Sequence, residues 1–133
     1  MISVGIDLVA VRSIGESIDA YGNAYLQRVF TSDEIEHCRT PDGLAHERLA
    51  ARFAAKEAVL KAFRVGPDTA IDLRTIELVP DPGGSLRVRL TGTALAYATR
   101  ARIHELSVSV THEDEFAGAV VVATMDDGGL DQT

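Results

Sequence analysis

The sequence predicts an α+β fold in one small domain, with a long central helix packed on an antiparallel sheet. Three observations predict it. Residues 49–63, LAARFAAKEAVLKAF, are dominated by strong helix formers and contain no Gly or Pro. The second half of the chain falls into short apolar or alternating runs separated by turn residues, the pattern of strands. A length of 133 residues suits a single domain.

Residues 2–11, ISVGIDLVAV, are rich in β-branched side chains and predict a buried strand. Asp7 interrupts that run. A carboxylate among apolar neighbours is costly unless it is paired, hydrogen-bonded or bound to a cation. It either caps the following helix or serves a site. Gly5, two residues earlier, would let another backbone or a ligand come close. Residues 12–29 read as two short helices broken near Gly22-Asn23. Thr31-Ser32-Asp33-Glu34 is a helix start, with Thr31 or Ser32 as cap and acids in the first turn; this helix runs to about 38 or 39. Thr40-Pro41-Asp42-Gly43 is a turn.

The central helix then runs from about 44 to 64 and is ended by Gly66-Pro67-Asp68. Leu49, Phe53, Ala54, Leu60 and Phe63 give it an apolar side. Arg52, Lys56, Glu57 and Lys61 form a charged group set against that side. Residues 71–79 predict a strand with Ile76 and Leu78 inward, 80–85 a hairpin turn, and 86–90 (LRVRL) a half-buried strand with Arg87 and Arg89 on one face. Thr91 caps a helix over 92–102. Residues 106–111 and 116–124 form a second strand pair. The domain is thus assigned to 1–124. The acidic, glycine-containing stretch 125–133 is expected to fray.

The formal net charge of −7, from 20 acidic and 13 basic residues, argues against broad binding of nucleic acid. The single cysteine, Cys38, excludes an intrachain disulfide and a cysteine-rich metal site. No apolar run is long enough to cross a bilayer and nothing reads as a secretory signal, so a cytoplasmic protein is expected.

Three polar features stand out from apolar surroundings: Asp7 in the first strand, Glu57 with Lys61 on the central helix, and His112 at a strand end. A Glu-to-Lys pair on a helix is ordinary surface decoration, and a lone His is most often structural. Two carboxylates from separate elements, however, suit a hard divalent cation such as Mg²⁺. That ion takes one or two protein carboxylates and completes its shell with water and substrate phosphates. Lys61, one turn from Glu57, would face the same phosphates.

GIDLVAVRSI at 5–14 and RFAAKEAVLKAF at 52–63 resemble the two signatures of the 4′-phosphopantetheinyl transferases, and SVSVTH at 107–112 followed by AGAVVVA resembles that family's C-terminal strand pair. The resemblance covers about 2–124 and is to the short, single-domain type. It implies the family's fold and a Mg²⁺-dependent transfer of 4′-phosphopantetheine from coenzyme A to a serine of an acyl carrier protein. The carrier would be of fatty-acid or polyketide type, and adenosine 3′,5′-bisphosphate would be released. It implies that Asp7 and Glu57 hold the metal and that Lys61 contacts the pyrophosphate. Arg52 and His112 would contact the nucleotide end of coenzyme A, and Gly66 would belong to the phosphate cradle after the helix. It also implies a homotrimer with active sites between adjacent chains. The base that takes the serine proton stays open between a water at the metal and one of the two carboxylates.

The chain departs from the family pattern at Ser13, where an arginine is usual, at Arg64-Val65-Gly66 in place of Gly-Thr-Gly, and at Thr111, where a serine is usual. The Arg64-Val65-Gly66 departure is the feature that favours a second reading, a non-catalytic module that binds coenzyme A or carrier protein. Retention of Asp7, Glu57 and Lys61 favours the enzyme.

Overall fold

The computed structural model describes residues 1–126. Strands β1 (Ile2–Ala10), β6 (Ile103–His112) and β7 (Phe116–Met125) form an antiparallel sheet in the order β1-β7-β6. Helix α4 (His46–Phe63) lies on the inner face of this sheet, as the α+β reading expects. The contact is made of small residues. Ala50, Ala54, Ala55, Ala58 and Ala62 of α4 and Ala123 of β7 are fully buried, so the backbones approach closely. Gly5 marks the tightest point: a β-carbon there would lie 1.9 Å from the Ala58 carbonyl oxygen and 2.7 Å from the Ala62 nitrogen. The close neighbour anticipated at Gly5 is therefore the helix backbone.

Around this layer run α1 (Val11–Tyr21), α2 (Asn23–Val29) and α3 (Ser32–His37), then a minimal ribbon of β2 (Arg39–Thr40) and β3 (Gly43–Leu44). The hairpin β4 (Ile76–Pro80) with β5 (Leu86–Leu90) and helix α5 (Gly92–Arg100) follow α4. Thr31 caps α3 in a reciprocal capping box with Glu34. Cys38 is a buried free thiol at the end of that helix.

Several boundaries differ from expectation, each for a local reason. Helix α4 begins at His46, because Leu44 pairs with Arg39 and the Ala45 N–H donates to the Cys38 carbonyl, keeping the chain extended to that point. Its C-terminal cap is Arg64 in a left-handed conformation, two residues before Gly66. The strand expected over 71–79 starts only at Ile76; before it Leu73–Thr75 is a 3₁₀ turn, capped by Asp72, whose carboxylate accepts the Arg74 N–H at 2.9 Å. Helix α5 stops at Arg100, and Met125 belongs to β7 rather than to the tail. Residues 127–133, where fraying was expected, lie outside the described residues.

The largest correction concerns α4 itself. Arg52 and Lys56 do not share a solvent surface with Glu57 and Lys61; both are buried. Lys56 donates its three protons to Glu34 Oε1 (2.8 Å), the Leu73 carbonyl (2.8 Å) and the Ile76 carbonyl (2.6 Å). Glu34 in turn accepts the N–H groups of Thr31 and Leu78, both at 2.9 Å. Burial pulls the Lys56 ammonium below the usual lysine range, and the Glu34 charge opposes that. This pair joins α3, α4, the 3₁₀ turn and β4, and leaves Lys56 no proton for a phosphate.

Strand β1 is likewise buried on one face only. Ile2, Val4, Ile6 and Leu8 are 58–69% exposed and line up with Phe116 and Val120 on the outer face of the sheet. That is a contiguous apolar surface of the kind that marks an interface.

Candidate active site

The inward positions of β1 are Ser3, Gly5, Asp7 and Val9. Period-two alternation therefore sends Asp7 toward α4, and the Gly5 contact brings the helix close enough to meet it. Lys61 Nζ lies 3.0 Å from Asp7 Oδ1 and 3.0 Å from the Ile6 carbonyl oxygen. The Lys61 side chain stays 56% exposed, against 17% for Asp7, so its head group can turn to a ligand. Glu57 sits one turn earlier on the same stripe of α4. Burial pushes its carboxyl above the usual range, the Asp7 charge raises it further, and Lys61 pulls it down. Asp7, Glu57 and Lys61 are thus brought together at the β1 edge of the sheet.

Among the described residues no cluster of three or more His, Cys, Asp or Glu side chains could hold a metal alone. Two carboxylates with a lysine beside them suit instead a hard cation that draws its other ligands from water and a phosphorylated substrate.

Arg52 and His112 also come together, at the other edge. They line a cavity of about 340 Å³ whose walls include His37, Arg48, Leu86 and Val110. Arg52 is 6% exposed; its Nη1 donates to the Arg48 carbonyl at 3.4 Å, and its buried Nε has no hydrogen-bond partner among the described residues. A buried guanidinium with an unmet donor, beside Arg48 and two histidines, is suited to an anion. Sequence reasoning missed His37 and Arg48. The i, i+4 spacing of Arg48 and Arg52 was the available signal, but His37 lies on another helix and carried none. Gly66 stands apart from both groups; it is exposed, with nothing within 4 Å of where its β-carbon would be.

The chain matches the 4′-phosphopantetheinyl transferase superfamily over residues 3–121. It belongs to that family. A holo-[acyl-carrier-protein] synthase of Chloroflexus aggregans is 39% identical over 98% of this transferase and all of its own length. Among solved structures, an ACPS–CoA complex from Chronobacterium ammoniagenes superposes with a TM-score of 0.83 and 29% identity, covering 95% of this chain and 98% of that one. The Helicobacter pylori holo-[acyl-carrier-protein] synthase in complex with coenzyme A gives 0.78 and 29%, covering 91% and 99%. The small mixed fold of the transferase, with its helices and antiparallel sheet, is the one these structures share.

Proposed function

We propose that this protein transfers 4′-phosphopantetheine from coenzyme A to a serine of an acyl carrier protein, and that Asp7, Glu57 and Lys61 carry the transfer. The observation that carries the reading is the meeting of these three side chains across β1 and α4, in a chain whose relatives are holo-[acyl-carrier-protein] synthases over their full length. Asp7 and Glu57 would hold Mg²⁺, which supplies Lewis-acid neutralisation of the pyrophosphate when bound. The serine hydroxyl gives up its proton to a water or to one of the two carboxylates, its oxygen attacks the β-phosphorus, the bond from that phosphorus to the bridging oxygen breaks, and adenosine 3′,5′-bisphosphate leaves. Lys61 stabilises charge developing on the pyrophosphate oxygens. Arg52 and His112, with Arg48 and His37 beside them, hold the nucleotide end through its 3′-phosphate.

Intact-mass analysis of an apo carrier protein of the fatty-acid or polyketide type, incubated with coenzyme A, Mg²⁺ and this enzyme, tests the activity. One phosphopantetheinyl group should be added. Tight coenzyme A binding with no transfer to any carrier would favour the non-catalytic module instead. Carrier proteins that are acidic would have to meet a protein of net charge −7, so the docking face must be locally basic. Of the three arginines in the first helical region, Arg12 approaches Glu16 at 3.8 Å and Arg39 bonds Glu36 at 3.1 Å, whereas Arg28 has no such carboxylate among the described residues. Docking is accordingly assigned to the surface around Arg28, and the transfer rate at low carrier concentration should fall as salt rises.

The two groups of site residues lie on different sides of α4. Arg52 and Glu57 are five residues apart, a rotation of about 140°, and they face opposite edges of the sheet. The register Asp7–Ala119–Val110 separates those edges by two strand spacings, about 10 Å. Two residue groups held apart within one chain, beside an apolar outer face suited to a second copy, are what a site shared between chains requires. This supports a homotrimer with shared sites. Glu57→Gln chains mixed with Arg52→Ala chains, after subunit exchange, should then recover activity that neither has alone. Sites built within one chain would show no recovery. No described helix is long and apolar enough to cross a membrane, and a cytoplasmic location fits the reading.

A further inference from the structure

Only two non-glycine residues among those described have a positive φ, Arg64 (58°) and Arg102 (59°). Arg64 is the left-handed cap of α4, with ψ of 44°. Glycine or asparagine is usual at such a cap, because a β-carbon is disfavoured in that conformation. The cap is held by other groups. The Arg64 N–H donates to the Lys61 carbonyl at 3.1 Å, and the Val65 N–H to the Leu60 carbonyl at 3.3 Å. The Tyr97 hydroxyl donates to the Phe63 carbonyl at 3.1 Å, and its ring stacks on Phe63 with centroids 5.6 Å apart and planes 10° apart.

The Arg64 side chain adds nothing to this arrangement. The residue is exposed, and its guanidinium makes no ion pair or hydrogen bond among the described residues. A cation at a helix C-terminus is favoured by the helix dipole, but Lys61 already provides one in the last turn. A disfavoured conformation retained for an unpartnered cation points to a ligand rather than to the fold.

Position identifies the ligand. Arg64 follows Lys61 by three residues, about 4.5 Å along the helix axis, and Lys61 Nζ sits against Asp7. Both long side chains can reach one anion placed there. With two carboxylates and one lysine, the protein groups of the site are short of positive charge for a diphosphate. We propose that Arg64 is a second cation for the pyrophosphate of coenzyme A, binding the substrate beside Lys61. This rests on the reading of Asp7, Glu57 and Lys61 as the pyrophosphate site. A guanidinium can grip two phosphate oxygens at once. The contact forms on binding and persists as charge develops on the same oxygens, so its loss lowers kcat/KM.

The test uses Arg64→Gly and Arg64→Asn in the full chain, with Lys61→Met as comparator. Both Arg64 variants should lower kcat/KM for coenzyme A roughly tenfold, and their thermal midpoints should not fall. The same factor should appear with 3′-dephospho-coenzyme A, which keeps the pyrophosphate but lacks the 3′-phosphate. An unchanged kcat/KM in both variants overturns the proposal, as does a fall that disappears with the dephospho substrate. If Lys61→Met cripples transfer while the Arg64 variants behave as wild type, only the role of Arg64 fails. If Lys61→Met is also without effect, the pyrophosphate site itself is misplaced.

Discussion

Glu57→Gln and Asp7→Asn should each lower kcat/KM for carrier modification on the order of a thousandfold or more, because each removes one of the two carboxylates proposed to hold the cation. The fold should survive both. For Glu57 the stability effect has a defined sign. Its carboxyl is raised above the usual range by burial and by Asp7, so the folded protein binds the proton more tightly than the unfolded chain does. That contribution to stability is fully present below the unfolded pKa and is lost as pH rises through the higher, folded one. At neutral pH the Glu57 charge is therefore a net cost, and Glu57→Gln should be more resistant to urea than wild type in the presence of EDTA. The difference should vanish as the pH falls below the ordinary glutamate range. A variant that is inactive yet more stable is what a functional carboxylate predicts; an inactive variant that is also less stable would indicate a structural role.

Lys56→Ala should lower unfolding free energy by about 3–5 kcal/mol, a large part of the roughly 5–15 kcal/mol typical of a domain. The reason is the set of acceptors left behind. Glu34 loses its buried counter-charge, and the Leu73 and Ile76 carbonyls lose a donor. Urea denaturation measures the loss, and circular dichroism at 25 °C shows whether the variant remains folded. A lysine of this helix that served as a phosphate ligand would behave otherwise. In that case the substitution would raise the KM for coenzyme A and leave stability near wild type. The two outcomes are opposite, so one variant decides between them.

Lys56 also shows where sequence reasoning reaches its limit. Lysine is almost never fully buried unless paired, and its partner Glu34 lies 22 residues away on another helix. Nothing in a helical period reveals that pairing. Arg52 was hidden in the same way, although its chemistry was legible: a guanidinium set near His112 by tertiary packing. The Asp7–Glu57–Lys61 group was legible because each member broke an apolar pattern or matched a specific motif. Its geometry depended on Gly5, which could be recognised as a point of close approach but not as the seat of α4. The exposed face of β1 was not legible. Ile2, Val4, Ile6 and Leu8 make the strand read as buried on both sides, because an apolar face reads the same in sequence whether or not the chain's own residues cover it. Capping and turn chemistry, being local, located the ends of α3 and the β4–β5 hairpin well. It failed at Arg64, where a residue disfavoured in the left-handed region stands at the cap in place of glycine.

Asp7 and Glu57 are proposed to present one divalent cation together to the pyrophosphate of coenzyme A. Titration of the protein with Mn²⁺ in the presence of coenzyme A, followed by electron paramagnetic resonance of the free ion, measures this directly. Wild type should bind one Mn²⁺ per chain, more tightly with coenzyme A than without it, and Asp7→Asn and Glu57→Gln should each weaken that binding by at least about tenfold. Unchanged Mn²⁺ affinity in both variants would contradict the account.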